Sequence, residues 1–381
     1  MNSVDYYVSL LEDRPRIASV LRAISRTVTS GDNVVEIGCG IGTYSLAALR
    51  AGAAQVTAID ANPVAIALAR ELGVEREGGG RIRLVESRAE SVLLFRPAGV
   101  VIFEDYGTLG HAAGLPALFE HVRTKVAAPG AKYLPAVVEI VLAPVDRPLR
   151  TLQPSDAVSL PFSSDALALL RKRALNEPFA PDFGAEALAA PGQVVGRIVA
   201  GEELPRRVRM GGSVVLSRSC SVTGLLGWIR LDFGDGIVVD NPPSVPSPTY
   251  APVAFPFEEP LRAVAGERLE LSLEAVYGPG PKTLLWQWGA TGTQGSRDGS
   301  STNGLPGDLE LLKRGSTGEI PKAGKLLPAI AEVCRQVDGK KSSGEIAAVV
   351  YNLYKGELKG ERAATAFVLD VMDRLRGAAD L

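Results

Sequence analysis

The sequence predicts an α/β domain with a parallel sheet, followed by an antiparallel β region and a small helical domain. Three observations support this prediction. Short apolar runs alternate with amphipathic ones from Asn33 to about Ala143, and strands that alternate with helices indicate βαβ units. Beyond Pro144, β-rich runs separated by Gly and Pro turns predict an antiparallel sandwich or barrel. Helical patterns then return in residues 309–381.

Composition limits both the architecture and the partners. The chain has 381 residues, 46% hydrophobic and 22% charged, which predicts two or three globular domains. With 41 basic and 43 acidic residues, the formal charge of -2 offers no net field that would attract nucleic acid or an anionic membrane. We therefore expect neither as a partner.

The rarer residue types point to a reducing compartment. The chain has three cysteines, which lie far apart in the sequence, so we expect no disulfide framework. His111 and His121 are the two histidines, so we expect no Cys/His metal site. The N-terminal segment is acidic and polar, and no apolar run reaches the roughly 18 residues of a spanning helix. The sequence is thus typical of a soluble cytoplasmic protein.

The elements of the first domain follow from these patterns. The predicted strands are Val34–Ile37, Gln55–Asp60, Arg81–Val85 and Val100–Glu104. The predicted helices are Tyr44–Ala51, Pro63–Leu72 and Leu115–Ala127. Alternation at this spacing predicts a sheet covered on both faces.

The second half is predicted in the same way. A helix is expected at Asp165–Leu175, and strands at Val194–Val199, Ser213–Val222, Leu225–Phe233, Arg268–Val276 and Leu284–Trp288. Residues 289–308, rich in Gly, Ser and Thr, are typical of a flexible linker. A strand-like start at Leu309–Leu312 precedes helical patterns at Leu326–Val337, Ser343–Leu353 and Arg362–Arg376. The predicted domains are residues 1–144 and 145–290, a linker over 291–308 and a domain over 309–381.

The sharpest motif is Val34–Thr43, in which a strand runs into a glycine turn that opens a helix. Glycine allows a ligand to approach the backbone closely and allows positive φ. The spacing is E-x-G-x-G-x-G, which differs from the dinucleotide pattern and lacks the Lys-Ser/Thr of a P-loop. Asp60, at the end of the next strand, is placed to accept the two ribose hydroxyls of an adenosine. The alternative is a tight turn that binds nothing.

This loop together with Asp60 resembles the class I S-adenosylmethionine methyltransferases. The resemblance implies a Rossmann-like sheet, S-adenosylmethionine as cofactor and S-adenosylhomocysteine as product. The cofactor contacts that it implies in this region are Glu36, Gly38, Cys39, Gly40, Gly42, Thr43, Asp60 and Ala61.

Further motifs resemble the protein arginine methyltransferases over roughly Val4 to Trp288. Leu10–Arg16 is similar to their M-L-x-D-x-x-R segment, which implies that Arg16 pairs with the cofactor carboxylate. By position, Ala89 and Glu90 would contact the adenine. The segment Phe103-Glu104-Asp105-Tyr106-Gly107 resembles the start of the family's double-glutamate loop, and the resemblance places Glu104 near both the cofactor and the acceptor.

The sequence departs from that family at the acceptor. The second glutamate of the loop is replaced by Ala113, and the T-H-W segment reads Thr249-Tyr250-Ala251. A guanidinium carries five donors in a planar fork and needs more than one carboxylate. We therefore expect a smaller amine, held by Glu104 with Asp105 beside it.

Other groups were expected around that amine. The predicted lining groups of the acceptor pocket are Tyr250, Tyr7 and His111. Three of these residues have a plainer interpretation, in which Asp105 is solvated, Tyr7 packs on the sheet and His111 lies on an exposed loop. The aromatic helix that covers the adenosine in the family is mostly missing before Tyr6-Tyr7, so either the site is more open or another segment closes it.

Val337–Ile346 contains a turn at Asp338-Gly339 and a capping box from Ser342 to Glu345. The segment is similar to the signature of PqqD-like winged-helix domains, which recognise leader peptides of ribosomally made natural products. That resemblance, over residues 309–381, implies a leader paired as an extra strand. Charges here are nearly balanced, which disfavours DNA.

The combined resemblances imply an N-methyltransferase that modifies an amine of a ribosomally synthesised precursor peptide, as in daptide-type pathways that dimethylate a C-terminal amine. The precursor, bound through its leader, is the implied partner, and a homodimer is compatible with these features. Two alternatives remain: an arginine methyltransferase with a degenerate clamp, and a noncatalytic leader-binding scaffold.

Overall fold

The computed structural model describes residues 4–104, 106–107, 109–147, 178–181, 184–245, 249–278, 284–301 and 324–376. Asp105, the predicted helix 165–175 and the strand-like segment 309–312 lie outside the described residues. The chain divides into two compact units, residues 1–313 and 314–381.

Two helices, α1 (Val4–Glu12) and α2 (Arg14–Thr27), precede the sheet. Asp13 separates them and caps α2, because its carboxylate accepts a hydrogen bond from the amide of Arg16 at 3.3 Å. Pro15 suits the first turn of α2, where no amide donor is needed. This cap fixes the position of Arg16 in the first turn of α2.

The parallel sheet has five strands in the order β3-β2-β1-β4-β5. They are β1 (Asn33–Ile37), β2 (Gln55–Asp60), β3 (Ile82–Glu86), β4 (Ala98–Phe103) and β5 (Ala127–Leu134). Helices α3 (Thr43–Arg50), α4 (Pro63–Glu71), α5 (Val74–Glu77) and α6 (Leu115–His121) connect them. The predicted α/β domain is confirmed.

The helix predicted over 115–127 is shorter than expected. Helix α6 ends at His121, and Val122–Val126 form a π-helical turn before β5 begins at Ala127. Such single wide turns change which side chains face the core, and here Val122 and Val126 are buried against the sheet.

The second part of this unit consists of two antiparallel sheets. One has the order β10-β9-β6-β7, with β11 also paired to β9, and the other has the order β14-β13-β12-β8. The strands are β6 (Val137–Val145), β7 (Gln193–Val199), β8 (Arg207–Val215), β9 (Cys220–Asp232), β10 (Val238–Asp240), β11 (Val253–Ala263), β12 (Arg268–Tyr277), β13 (Leu284–Gly292) and β14 (Gly295–Ser300). Because β6 pairs with β9, the change from parallel to antiparallel sheet occurs at Leu134–Pro135 and not at residue 144.

Two sequence predictions are wrong in this region. The run Ser213–Val222 is not one strand, since β8 ends at Val215, a bend follows and β9 begins at Cys220. Part of the predicted linker, Gly295–Ser300, is strand β14 of a hairpin. A tertiary contact explains why this glycine-rich segment forms a strand. A Cβ on Gly299 would lie 2.2 Å from the ring of Trp288, so the absence of a side chain at residue 299 makes room for the indole.

The second unit contains α7 (Leu327–Gln336), α8 (Ser343–Leu353) and α9 (Glu361–Arg376). They enclose a hydrophobic core of their own that includes Val333, Val350 and Val368. The capping box predicted at Ser342 and Glu345 is present. The small sheet of a winged helix would fall on residues outside the described ones, so the winged helix stays a prediction.

Within the described residues, no helix combines the length and the apolar character that crossing a membrane requires.

Candidate functional site

A cavity of about 810 Å³ opens where strands β1, β2 and β4 of the parallel sheet end and continues to the antiparallel region. Its volume is that of a pocket for a drug-sized ligand. It brings together these predicted residues: Tyr7, Arg16, Glu36, Gly38, Cys39, Gly40, Thr43, Asp60, Ala61, Ala89, Glu90, Glu104 and Tyr250. Gly42 and His111 do not line it.

The glycine loop forms the floor of this cavity. Gly38, Gly40 and Gly42 have φ of +72°, +53° and +81°, in the region that favours glycine. Gly42 precedes α3 and packs on Val74, whose side chain would lie 3.0 Å from a Cβ at that position. Gly42 therefore shapes the loop from behind, while Gly40 faces the cavity.

Asp60 ties this loop to the end of β2. Its Oδ2 accepts a hydrogen bond from the amide of Gly40 at 2.8 Å, and its Oδ1 accepts one from the amide of Asn62 at 2.8 Å. The carboxylate is thereby held at the rim, with lone pairs that remain available to hydroxyl donors. Asn62, which sequence reasoning missed, follows Asp60 by two residues and also caps α4.

Helix α1 covers the glycine loop with the side chain of Tyr7. The Tyr7 side chain is buried, its hydroxyl accepts a hydrogen bond from Nδ2 of Asn62 at 2.8 Å, and its ring would lie 3.3 Å from a Cβ on Gly40. Burial also raises the pKa of this phenol. Tyr7 thus lies over the glycine loop beside Asp60, and α1 is the segment that covers the loop.

Arg16 and Glu104 form the charged centre of the cavity. Nη1 of Arg16 donates to Oε2 of Glu104 at 2.7 Å and lies 3.0 Å from the hydroxyl of Tyr44, while Nη2 donates to the carbonyl of Leu10 at 3.1 Å. Nε of Arg16 pairs with Asp13 at 3.4 Å. Tyr44 and Asp13 were missed as site residues, although Tyr44 directly follows the glycine motif and Asp13 lies within the Leu10–Arg16 segment.

The carboxylate of Glu104 has one oxygen in use and one free. Oε1 is buried and has no hydrogen-bond partner among the described residues. Burial raises the pKa of Glu104, while the Arg16 guanidinium and the Tyr44 hydroxyl oppose that rise. A buried oxygen without a donor, at the wall of a cavity, is a place for a ligand N–H.

Glu36 is the most deeply buried acid of the loop region, at 3% exposure. Its Oε2 accepts a hydrogen bond from Oγ of Ser45. Burial raises the pKa of Glu36 to about 8, with the Ser45 hydrogen bond acting in the opposite direction. Burial thus favours the neutral form of Glu36, which lines the cavity.

The segment before β11 contacts both acidic residues that pair with Arg16. The Tyr250 hydroxyl donates to the main-chain carbonyl of Glu104, and Oγ1 of Thr249 donates to Asp13 at 3.4 Å. Phe179 and Trp228 add apolar and aromatic surface to this side of the cavity.

The segment predicted to contact the adenine follows β3. Ala89 is buried at the start of a short 3-10 turn, and Glu90 pairs with Arg88 at 2.9 Å. Both line the cavity, and their contact with the adenine stays a prediction.

The prediction that His111 lines the acceptor pocket is wrong. It lies neither in the cavity nor on an exposed loop, since its side chain is 1% exposed and its Nδ1 lies 2.5 Å from the hydroxyl of Tyr277. The ring packs edge-on against Trp286 at 5.3 Å. Burial lowers the pKa of His111 to about 3, so it is a neutral core residue. Asp105, the other predicted neighbour of Glu104, falls outside the described residues.

Comparisons with known proteins agree with this geometry. Residues 15–84 match the family model described as ribosomal protein L11 methyltransferase (PrmA). An arginine N(omega)-methyltransferase of Streptomyces achromogenes subsp. streptozoticus is 26% identical over 283 residues, which are 70% of this chain and 75% of that protein. The protein is an S-adenosylmethionine-dependent methyltransferase.

Solved structures show the same fold for this methyltransferase. The Trypanosoma brucei PRMT1 enzyme–prozyme heterotetrameric complex with AdoHcy matches with a TM-score of 0.65 and 16% identity over 77% of this chain and 97% of that chain. Arabidopsis thaliana protein arginine methyltransferase 10, in an open conformation, matches with a TM-score of 0.66 and 15% identity over 78% and 98%.

The methyltransferase cavity fits its cofactor. A Cβ on Gly40 would narrow the gap under Tyr7, Asp60 is held at the end of β2 and Arg16 supplies a buried cation. Gly40 allows the cofactor to approach the backbone closely, Asp60 can accept hydrogen bonds from ribose hydroxyls, and Arg16 can pair with a carboxylate.

Proposed function

We propose that this methyltransferase transfers methyl groups to an amine of a ribosomally synthesised precursor peptide, and that residues 309–381 bind the leader of that peptide. One observation carries the choice of an amine. Among the described residues that line the cavity, Oε1 of Glu104 is a buried acceptor without a hydrogen-bond partner, and the position of a second loop carboxylate is occupied by Ala113.

The hydrogen-bond count supports an amine over a guanidinium. Arg16 already occupies Oε2 of Glu104, which leaves one oxygen for the acceptor. A guanidinium would bring five N–H donors to this one oxygen of Glu104, and each buried donor left without a partner costs about 1–3 kcal/mol. An amine needs one such hydrogen bond to be oriented.

The chemistry follows from that contact. S-adenosylmethionine supplies an electrophilic methyl group on a sulfonium. Glu104 Oε1 would accept an N–H of the amine and so orient its lone pair toward the methyl group, whose transfer would form an N–C bond as the S–C bond breaks. The proton of the resulting ammonium passes to Oε1 and then to solvent. A carboxylate whose pKa is raised by burial is a better proton acceptor than an exposed one.

Leader binding is supported by the second unit. Its three helices have a separate core, and the turn at Asp338-Gly339 leads into the capped helix α8 as in the PqqD-like signature. A tethered leader would give the core peptide a high effective concentration at the cavity, so that a pocket with one carboxylate suffices. Two methyl transfers to a C-terminal amine, as in daptide-type pathways, are part of this proposal, as is a homodimeric assembly.

An arginine methyltransferase is the second candidate, because the relative named above carries that activity in its name. Mass spectrometry separates the two candidates. The full chain is incubated with labelled S-adenosylmethionine and either the precursor peptide encoded beside the gene or an arginine-rich peptide without a leader. Methylation of an amine in the precursor supports the proposal, and methylation of guanidinium groups in the leaderless peptide contradicts it.

A further inference from the structure

Two consecutive residues of the antiparallel region touch the two carboxylate residues that flank Arg16. Thr249 donates from Oγ1 to Oδ2 of Asp13 at 3.4 Å, and Tyr250 donates from its hydroxyl to the carbonyl oxygen of Glu104. Both lie just before β11, which is fixed by its pairing of Val253 with Gly227 of β9. The contact therefore connects the antiparallel sheet to the end of β4.

The carbonyl oxygen of Glu104 receives two donors. The amide of Tyr106 donates to it at 3.0 Å, and the Tyr250 hydroxyl supplies the second hydrogen bond. The ring of Tyr106 is 1% exposed and packs against Phe103 at 4.8 Å. These two hydrogen bonds restrain the peptide plane that follows the Cα of Glu104, and with it the point from which the side chain leaves the backbone.

We infer that Tyr250 is the positioning residue of the acceptor site: its hydroxyl fixes the backbone of Glu104, and through it the unpartnered Oε1 that orients the amine. This inference rests on the proposed role of Glu104. It assigns Tyr250 to the protein's own backbone and not to the acceptor, since its O–H is already donated to a carbonyl.

The charged surroundings agree with a donor role. The titratable groups near this hydroxyl are Glu104, Arg16 and, through Thr249, Asp13, with Tyr44 on the far side of Arg16. Arg16 is already paired with both carboxylates. The Glu104 carbonyl is an acceptor only, so the phenol must keep its proton to make the contact.

The first test removes this proton donor alone. Tyr250→Phe is compared with Tyr133→Phe, which changes a half-buried tyrosine of β5 outside the cavity. The probe is a mixture of short peptides with a free primary amine, and transfer of labelled methyl from S-adenosylmethionine is measured. For Tyr250→Phe we expect kcat to fall about 10-fold to 100-fold, since an error of about 1 Å in a positioned group costs about that much. The Kd for S-adenosylhomocysteine should not change. A kcat equal to that of the wild type overturns the inference.

The second test changes the acidity of the hydroxyl and keeps its shape. A difluorotyrosine placed at 250, whose phenol ionises near neutral pH, should lose activity as pH rises through that ionisation, because a phenolate cannot donate. The same replacement at Tyr133 should leave the pH profile unchanged. Activity that rises with ionisation would identify Tyr250 as a base, and an unchanged profile would make it a packing residue; either result overturns the inference.

A third measurement does not depend on turnover. Crystal structures of the full chain and of Tyr250→Phe should show the Glu104 carboxylate displaced in the variant, and coincident carboxylates would contradict the inference. Together the three tests separate the role of Tyr250 from the proposed function itself. A wild-type enzyme that methylates no amine refutes the proposed function, whereas an active wild type with an equally active Tyr250→Phe refutes only the role of Tyr250.

Discussion

Nη1 of Arg16 lies 2.7 Å from Oε2 of Glu104, across 88 positions of sequence, and this ion pair joins helix α2 to the residue that follows strand β4. The arginine is 5% exposed, so the pair is strongly coupled. Arg16 thereby decides which oxygen of Glu104 remains free. The division of labour between the two residues leads to separate predictions for cofactor binding and for methyl transfer.

Asp60→Ala should weaken cofactor binding by about 1–3 kcal/mol, the cost of losing a charge-assisted acceptor. The carboxylate also holds the amides of Gly40 and Asn62, so the variant loosens the glycine loop as well. Calorimetry with S-adenosylhomocysteine measures the change, and Glu120→Ala, an exposed acid on α6, is the control. Equal affinities for both variants would remove Asp60 from the ribose site.

Glu104→Gln should reduce methyl transfer while cofactor affinity stays nearly constant. The amide keeps the size of the side chain but loses the charge that holds and orients the amine and accepts its proton. Turnover with the precursor peptide and calorimetry with S-adenosylhomocysteine are measured on the same preparation. A normal rate in this variant would mean that neutral groups hold the acceptor.

Gly40→Ala should weaken cofactor binding without unfolding the protein. The residue has φ of +53°, which disfavours alanine, and the new Cβ would lie 3.3 Å from the Tyr7 ring. We expect α1 to be pushed away from the loop, so that dissociation of S-adenosylhomocysteine becomes faster. Gly234→Ala has a similar positive φ and nothing within 4 Å, and it serves as the control for strain alone. Equal dissociation rates in the two variants would argue against α1 as a cover.

His111 should make the folded state sensitive to acid. Burial lowers its folded pKa to about 3, below the ordinary value of 6.5. Between these values the unfolded chain binds a proton that the folded chain does not, so the free energy of unfolding decreases as pH falls from about 6.5 toward 3. His111→Phe should lessen that decrease, although it loses the contact with Tyr277 at every pH. His121→Phe is the control, and equal pH slopes of the melting temperature in the two variants would contradict the prediction.

The sequence predicted the elements whose signals are local. The strand, glycine turn and helix of Val34–Thr43 contain their own pattern and spacing, and Asp60 follows one βα unit later. Arg16 and Glu104 were found through motifs of a few residues each. These are the parts of the site that depend least on distant packing.

The features that were missed depend on contacts between distant segments. Gly295–Ser300 has the composition of a linker but forms a strand, because Trp288 packs over Gly299. His111 reads as a loop residue, yet Tyr277, 166 positions away, makes it a core residue. The hydrogen bond from Tyr250 to Glu104 spans 146 positions and has no local signature. Such pairings are set by how two sheets meet, which no short window of sequence contains.

Removal of residues 305–381 should separate cofactor binding from use of the precursor. The cut lies after β14, which ends at Ser300, and every residue assigned to the cavity precedes it. Calorimetry with S-adenosylhomocysteine should therefore give the affinity of the full chain. If the removed part binds the leader, methylation of the full precursor should fall steeply, because a tethered substrate reaches an effective concentration of order millimolar.

A leaderless core peptide is the control for this truncation, and it should be methylated slowly by both proteins because neither can tether it. A precursor concentration high enough to saturate the cavity without tethering should restore much of the rate of the shortened enzyme. Equal rates on dilute full precursor for the two proteins would exclude leader recognition by residues 309–381. The compact unit of α7, α8 and α9 would then need a structural explanation, and Glu104 would have to select its acceptor without help from the leader.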